Sequence, residues 1–314
     1  MTRVILIAGP TASGKSSLAL RLANDIGGVI INADSMQIYK DLRVISARPS
    51  KEEEAEVPHR LYGTVDGGDA YSAAEWCRDA VAEIESAWAD GVMPIVVGGT
   101  GMYFKVLVDG LAEIPPIPAA VRQQVRDECA LHGPGHLHAE LSECDPATAA
   151  RLASADSQRI CRAVEVYRAT GTPLSEFHKN HKPGPMGELD QKGDVMKLVL
   201  SWPRDLLYAR CDLRFDLMMQ EGGLEEVRAF LERDLPADLP SMKALGVPTL
   251  IEYLKGDSSL EDAIENSKMQ TRRFAKRQLT WFRNQFSHWN RVDAQQMETK
   301  YCEILHEITK KDID

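Results

Sequence analysis

The sequence predicts an α/β fold: a phosphate-loop-containing parallel sheet flanked by helices, with a helical insertion domain and a helical C-terminal part. Three observations predict it. The apolar run Val4-Ile5-Leu6-Ile7-Ala8 leads straight into Gly9-Pro10-Thr11-Ala12-Ser13-Gly14-Lys15-Ser16, which fits the phosphate-loop pattern G-x-x-x-x-G-K-[ST]. Two later apolar runs, Val29–Asn32 and Val92–Val97, also end in small or polar residues that open new elements. A proline-rich strip at 111–118 and a polar stretch at 179–194 bracket a purely helical pattern. The expected division is a core of residues 1–112 and 195–314 with an insertion at 113–194, in keeping with about two domains for this length.

The first apolar run reads as a buried parallel strand because no polar alternation interrupts it. After the loop, Leu18, Ala19, Leu22, Ala23 and Ile26 share one helical face, and Gly27-Gly28 ends that helix. Val29–Asn32 is a second strand. It delivers Asp34-Ser35-Met36-Gln37-Ile38-Tyr39 to the carboxyl edge of the sheet, where open α/β sheets bind ligands. Residues 40–70 read as irregular, with Glu52-Glu53-Glu54 as a solvated helix face. Ser72 and Glu75 form a capping box for a helix to about Ala89. Val92–Val97 is a third strand, and Gly98-Gly99-Thr100-Gly101 leads from it into a helix ending near Val108.

Leu111–Pro118 is a stiff connector. Within the insertion, Asp145-Pro146 is an N-cap and N1 pair, and 156–168 is a helix with Ile160, Val164 and Tyr167 inward and arginines outward. Residues 179–194 read as a mobile loop. Met196–Trp202 returns to the sheet, and after Pro203 a helical pattern is expected to the end. One helix carries Arg204, Arg210 and Arg214. Another, at 271–283, sets Arg272, Arg273, Lys276, Arg277 and Arg283 around an apolar stripe of Ala275, Leu279, Phe282 and Phe286.

No apolar run approaches the roughly 18 residues that span a bilayer. The N-terminus is strand and loop rather than a signal peptide. No membrane partner and a cytoplasmic location are therefore expected. The six cysteines include no C-x-x-C pair, which predicts reduced thiols without a zinc cluster or disulfide framework. His132, His136 and His138 flank Gly133-Pro134-Gly135 and read as a helix-start loop rather than metal ligands. The formal net charge of −10, taken alone, argues against a nucleic-acid partner. The 271–283 segment overrules it locally, since its five cations have no Asp or Glu among them. A packed helix with a solvated basic back is the plainer alternative.

The phosphate loop is a site for pyrophosphate or polyphosphate. Its glycines let the backbone wrap the anion, with N–H groups inward and a helix N-terminus behind them. Lys15 supplies a mobile charge, and the Ser16 hydroxyl can ligate Mg²⁺. The third strand ends in Gly-Gly-Thr rather than in the acidic group that hydrolysing motors use to hold the metal. The acid is Asp34, on the neighbouring loop, where it suits a general base on an incoming nucleophile. Its structural alternative is an N-cap or an Asx turn at the loop. These features alone admit a small-molecule kinase, with ATP on the loop and Asp34 activating a hydroxyl. They also admit a non-catalytic RNA-binding module.

Five segments in order resemble the tRNA dimethylallyltransferases, also called tRNA isopentenyltransferases: Gly9–Ser16, Asp34–Tyr39, Val97–Tyr103, Gln158–Tyr167 and Ala275–Arg283. They span residue 4 to about residue 290. The resemblance implies transfer of a dimethylallyl group from dimethylallyl diphosphate to N6 of the adenosine just 3′ of the anticodon. It implies diphosphate binding by Gly9, Thr11, Ala12, Ser13, Gly14, Lys15, Ser16 and Arg214, with Mg²⁺ on Ser16. Asp34, Thr100 and Lys15 would be catalytic: Asp34 takes the N6 proton, Thr100 donates to diphosphate oxygens, and Lys15 stabilises the leaving charge. Gln37 would hold the adenine edge of an extruded base.

The implied partner is the tRNA anticodon stem-loop, held by Asp34, Ser35, Met36, Gln37 and Thr100, by Arg122, Gln158, Arg159, Ile160, Cys161 and Arg162 of the insertion, and by Lys276, Arg277, Gln278 and Arg283. An adenylate isopentenyltransferase, the close variant, would lack the insertion. One departure is Val247, which stands where the family usually has tyrosine. With no zinc-finger extension of the eukaryotic kind in the sequence, a bacterial-type, monomeric enzyme is expected.

Overall fold

The computed structural model describes residues 2–179 and 182–310. It divides into two compact units, Met1–Val108 with Pro185–Asp314, and Asp109–Gly184.

The larger unit is built on a parallel sheet of β1 (Val4–Ala8), β2 (Gly28–Asn32), β3 (His59–Arg60), β4 (Met93–Gly98), β5 (Val195–Ser201) and β6 (Asn290–Asp293), in the order β3-β2-β4-β1-β5-β6. The central β1 pairs with β4 and β5, aligning Ala8 with both Gly98 and Val199. Every β1 side chain is fully buried, as an uninterrupted apolar run requires. Helix α1 (Lys15–Ile26) covers one face, with Leu18 and Leu22 in the core. Helix α2 (Lys51–Glu56) is short and opens on a Ser50–Glu53 capping box, which explains the acidic run. On the other face, α3 (Ala73–Ala89) and α4 (Gly101–Val108) pack Trp76, Ile84 and Phe104 into a core shared with Phe282, Phe286 and Trp289.

The smaller unit holds α5 (Ala119–His132), α6 (Pro134–Cys144), α7 (Pro146–Ala149), α8 (Ser157–Thr170) and α9 (Leu174–Lys179) around Val125, Leu137, Leu141, Ile160 and Val164. Asp145 caps α7 by accepting from Thr148 N at 3.1 Å. Arg168 ties three helices together, donating to Glu128 at 2.7 Å and to Glu140 at 2.6 Å. The Arg168 guanidinium holds the Glu128 carboxyl down at about 2. Arg168→Ala should lower stability by about 2 kcal/mol in urea unfolding, because these bonds are charge-assisted and partly buried. Glu128's share is complete above the ordinary glutamate range and is lost as pH falls from there through about 2.

The chain rejoins the larger unit through α10 (Gly187–Gln191) and continues with α11 (Arg204–Gln220), α12 (Gly223–Leu231), α13 (Val247–Lys255), α14 (Leu260–Gln285) and α15 (Met297–Lys310). The structure departs from the sequence reading in the 179–194 stretch and in the C-terminal part. Part of the expected 179–194 loop is helix α10. Its Asp190 accepts from Lys197 of β5 at 2.7 Å and Met186 lies in the sheet core, so residues 185–194 belong to the larger unit. Residues 180 and 181 of that loop, and 311–314 of the expected helical end, lie outside the described residues. The C-terminal part is also not wholly helical. Strand β6 pairs Leu198 with Asn290 through Ser201 with Asp293, and only Val292 of its side chains is buried. One apolar residue in four leaves no pattern for sequence reading to find. Val247, the departure from the family pattern, is fully buried at the start of α13.

Candidate active site

The phosphate loop leaves the carboxyl end of β1. Its carbonyls are bound from outside: Trp202 Nε1 donates to Ser13 O and Arg210 Nε donates to Ala12 O, each at 2.8 Å. Pro10 O accepts from Ser13 N at 3.2 Å and from Lys15 Nζ at 3.3 Å. With carbonyls held this way, the concave face is left to N–H groups, an anion-binding arrangement. Arg214 Nη1 donates to Thr11 Oγ1 at 3.0 Å. Among the described residues the buried Ser13 hydroxyl has no partner. The cavity over the loop measures about 390 Å³, and Lys15, Arg48, Arg210 and Arg214 bring four cations to its walls beside Leu213 and Leu217. Burial lowers the Lys15 pKa to about 8, with the Asp34 charge opposing the shift. A buried ammonium depressed in this way is set up to receive an anion.

Asp34 is positioned by Asn32, the last residue of β2. The fully buried Asn32 accepts from Asp34 N at 2.8 Å and donates to Asp34 O and Leu61 O at 3.0 Å. Trp76 Nε1 donates to Asn32 O at 2.7 Å. Asp34 Oδ1 accepts from Met36 N at 2.9 Å, so the Asx turn is present. Among the described residues Oδ2 has no hydrogen-bond partner, so the carboxylate both makes the turn and keeps one oxygen available. Thr100 stands across from this loop. Its Oγ1 accepts from Ser35 N at 2.9 Å and donates to Ser35 Oγ at 3.2 Å. Its single proton is therefore directed at Ser35, and donation to a diphosphate oxygen requires the hydroxyl to rotate. Gly98 is required here, since a Cβ would lie 2.0 Å from Ala33 O.

Four site residues are placed differently from the sequence reading: Gln37 and Gln278 here, and Ile160 and Cys161 in the smaller unit. The Gln37 amide donates to Ser46 O at 3.0 Å and Ala47 O at 2.7 Å, so its N–H groups brace the 46–47 loop rather than an adenine edge. Gln278 is buried, with its amide bonded to Thr11 N and Gly99 O at 2.9 Å each. Both ends of its amide are therefore already engaged, although the side chain also borders the cleft beside Thr100. Lys276, Arg277 and Arg283 of the same helix are exposed, and among the described residues none is within ion-pair distance of a carboxylate. Arg272 is different, pairing with Asp212 of α11 at 2.6 Å. Beside Thr100, a cleft of about 250 Å³ is lined by Met102, Phe274, Arg277 and Trp281.

In the smaller unit, Arg122, Gln158 and Arg159 are exposed and Arg162 is half-buried. Ile160 and Cys161 are not surface residues. Ile160 is fully buried and both pack in that unit's core, so neither side chain meets a partner.

Sequence reading missed Asn32, Arg48 and Trp202, and among the arginines of the 204–214 helix it favoured Arg214 over Arg210. Asn32 read as the end of a strand, and the loop carbonyls that meet Trp202 and Arg210 lie nearly two hundred residues earlier in the chain. Arg48 carried no motif. Its side chain is only 9% exposed, and among the described residues its Nε has no partner.

The IPP transferase family model matches residues 37–285. A tRNA dimethylallyltransferase of Azorhizobium caulinodans is 52% identical over 288 residues, covering 91% of each chain. One from Rhodopseudomonas palustris is 50% identical over 294 residues, covering 94% of this chain and 90% of the relative. Among solved structures, a tRNA isopentenylpyrophosphate transferase of Bacillus halodurans matches with a TM-score of 0.69 and 31% identity, over 99% of this chain and 97% of that one. A eukaryotic dimethylallyltransferase acting on tRNA matches with a TM-score of 0.83 and 28% identity, over all of this chain and 80% of that one. A phosphate loop facing a carboxylate rather than a second metal site, and relatives half identical over nine-tenths of the chain, agree: this protein belongs to the IPP transferase family.

Proposed function

We propose that this enzyme transfers a dimethylallyl group from dimethylallyl diphosphate to N6 of the adenosine just 3′ of a tRNA anticodon. The observation that carries the reading is a cationic phosphate cradle beside a carboxylate with one unengaged oxygen, Asp34 Oδ2. The N6 lone pair attacks C1 of the donor, the C1–O bond breaks, and diphosphate departs with the electron pair. Asp34 takes the N6 proton. The leaving charge falls on the loop N–H groups, Lys15 and Arg214, with Arg210 and Arg48 at the cavity wall.

Mg²⁺ fits this site in one respect. The exposed Ser16 hydroxyl opens α1, and Mg²⁺ on a substrate phosphate is held by few protein oxygens and several waters. No cluster of three His, Cys, Asp or Glu suited to a metal occurs among the described residues, so Ser16 and the diphosphate itself would hold the ion. When bound it neutralises diphosphate charge.

The adenine leaves its stack to reach Asp34, and the apolar cleft of Phe274 and Trp281 suits a stacked base or the prenyl chain. Lys276, Arg277 and Arg283, with Arg122, Gln158, Arg159 and Arg162 of the smaller unit, bind the anticodon stem-loop. Lys276→Ala or Arg277→Ala should weaken stem-loop binding and lower its salt slope by about one per lost phosphate contact. An unchanged slope in a salt titration would return this helix face to a solvated one.

No helix among the described residues is long and apolar enough to cross a membrane, and a tRNA substrate favours a cytoplasmic location. The relatives carry dimethylallyl- and isopentenylpyrophosphate-transferase names, which favours this reading over an ATP-dependent kinase. The test is mass spectrometry of an anticodon stem-loop after incubation with dimethylallyl diphosphate and Mg²⁺. One added C5H8 unit is expected. An unmodified stem-loop, with γ-phosphate transfer from ATP in its place, would refute the proposal.

A further inference from the structure

We infer that Gln278 is a positioning residue: its amide sets the spacing between the phosphate loop and the Gly99–Thr100 turn. The inference rests on the transfer reaction proposed above. Gln278 sits on α14, yet its partners belong to two other elements. Oε1 accepts from Thr11 N in the phosphate loop, and Nε2 donates to Gly99 O in the turn after β4, each at 2.9 Å. One planar group thus bridges the loop that receives the leaving diphosphate and the turn that carries Thr100. That turn also holds the Asp34 loop, through Thr100 N to Ala33 O at 3.1 Å and Thr100 Oγ1 to Ser35 N at 2.9 Å.

The bridge has little freedom. Gln278 is buried, and the space it fills is tight, since a Cβ on Gly99 would lie 2.5 Å from Nε2. Helix α14 is fixed one turn further on, where the Trp281 ring covers Gly101 so closely that a Cβ there would lie 2.0 Å away. The buried Phe282 anchors the same turn in the sheet core.

The residue type follows from the two partners. A part-buried N–H on one side and a buried C=O on the other need an acceptor and a donor on one short side chain, which an amide supplies. Leucine fills a similar volume and satisfies neither. A glutamate satisfies both only while protonated. Once ionised it can only accept, and it sets a negative charge against the Gly99 carbonyl. Donor and acceptor must meet in near-attack geometry, and an error of about 1 Å costs on the order of a hundredfold in rate. Gln278 controls that distance through its two hydrogen bonds, to Thr11 and Gly99.

The experiment compares wild type, Gln278→Leu and Gln278→Glu in single-turnover prenylation of an anticodon stem-loop at saturating donor. Stem-loop affinity and its salt slope are measured alongside, and pyrophosphate affinity is measured by calorimetry. Gln278→Leu should slow the single-turnover rate by about thirtyfold or more, with stem-loop affinity and salt slope within about twofold of wild type, and bind pyrophosphate about tenfold more weakly. Gln278→Glu should show a rate that, as a ratio to wild type, climbs as pH falls and the carboxyl protonates. That ratio is read within one folded protein, so it decides the matter even where the leucine variant folds poorly.

A leucine variant within twofold of the wild-type rate would overturn the inference. So would a pH-independent glutamate ratio, or a loss confined to stem-loop affinity and salt slope. Absence of prenylation by the wild type would sink the proposed reaction instead. Pyrophosphate affinity then decides on Gln278: weakened in the leucine variant, it supports the bridge, and unchanged, it refutes it.

Discussion

Asp34→Ala abolishes transfer to the anticodon stem-loop while leaving its binding nearly intact, with kcat falling by about 10²- to 10⁴-fold, the usual contribution of a positioned base. The alanine variant alone is ambiguous, because Asp34 also makes the turn to Met36 N. Asp34→Asn separates the two roles. Asparagine keeps an acceptor for Met36 N and preserves the turn. Its amide cannot take the N6 proton. The asparagine variant should therefore be as slow as the alanine one, yet bind stem-loop and pyrophosphate like wild type. Recovery of the rate by asparagine would assign Asp34 to the turn alone. The measurement is kcat beside stem-loop affinity for all three proteins.

Lys15→Ala lowers kcat by about 10²- to 10³-fold, the scale on which one preorganised charge stabilises a developing anion. The pH behaviour gives it a signature. Burial lowers the Lys15 pKa to about 8, so the free enzyme carries the charge below that value and loses it above. Affinity for the donor diphosphate should therefore be greatest below about pH 8 and weaken as pH rises through it. Diphosphate binding favours the charged form, and calorimetry in buffers of differing ionisation heat should record proton uptake near pH 8. In Lys15→Ala the weakening above pH 8 and the proton uptake should both vanish. A variant that lost stem-loop affinity instead, with donor binding unchanged, would contradict the role given to Lys15.

The parts of the molecule that could be read from the chain were those whose physics is local. Strands β1, β2 and β4 are near-continuous apolar runs and β5 is one interrupted by Lys197, because parallel strands are covered on both faces. The capping box at Ser72 and Glu75 and the glycine loop announce their helices by spacing alone. Strand β6 is different, existing only because β5 offers it an edge. Gln278 shows the same limit within the site. It stands among five cations on a basic segment, and its place in the family motif put it with them. Its burial is set by Thr11 and Gly99, residues 267 and 179 positions away. Ile160 is the opposite case. Helical periodicity already turned it inward, and only its place in a motif suggested contact with RNA. Asp34 was legible as an acid at a sheet edge, but the Asn32 network that aims it was not, since an asparagine at a strand end carries no pattern of its own.

The central claim is that this phosphate loop cradles a leaving diphosphate while carbon, not phosphorus, is attacked. Dimethylallyl diphosphate labelled with heavy oxygen at the bridge between C1 and phosphorus tests it directly. Attack at carbon places all of the label in the released diphosphate and leaves an unlabelled C5H8 unit on the RNA. Label retained in a free five-carbon alcohol, or phosphate found on the acceptor, would mean that phosphorus is attacked and would contradict the account.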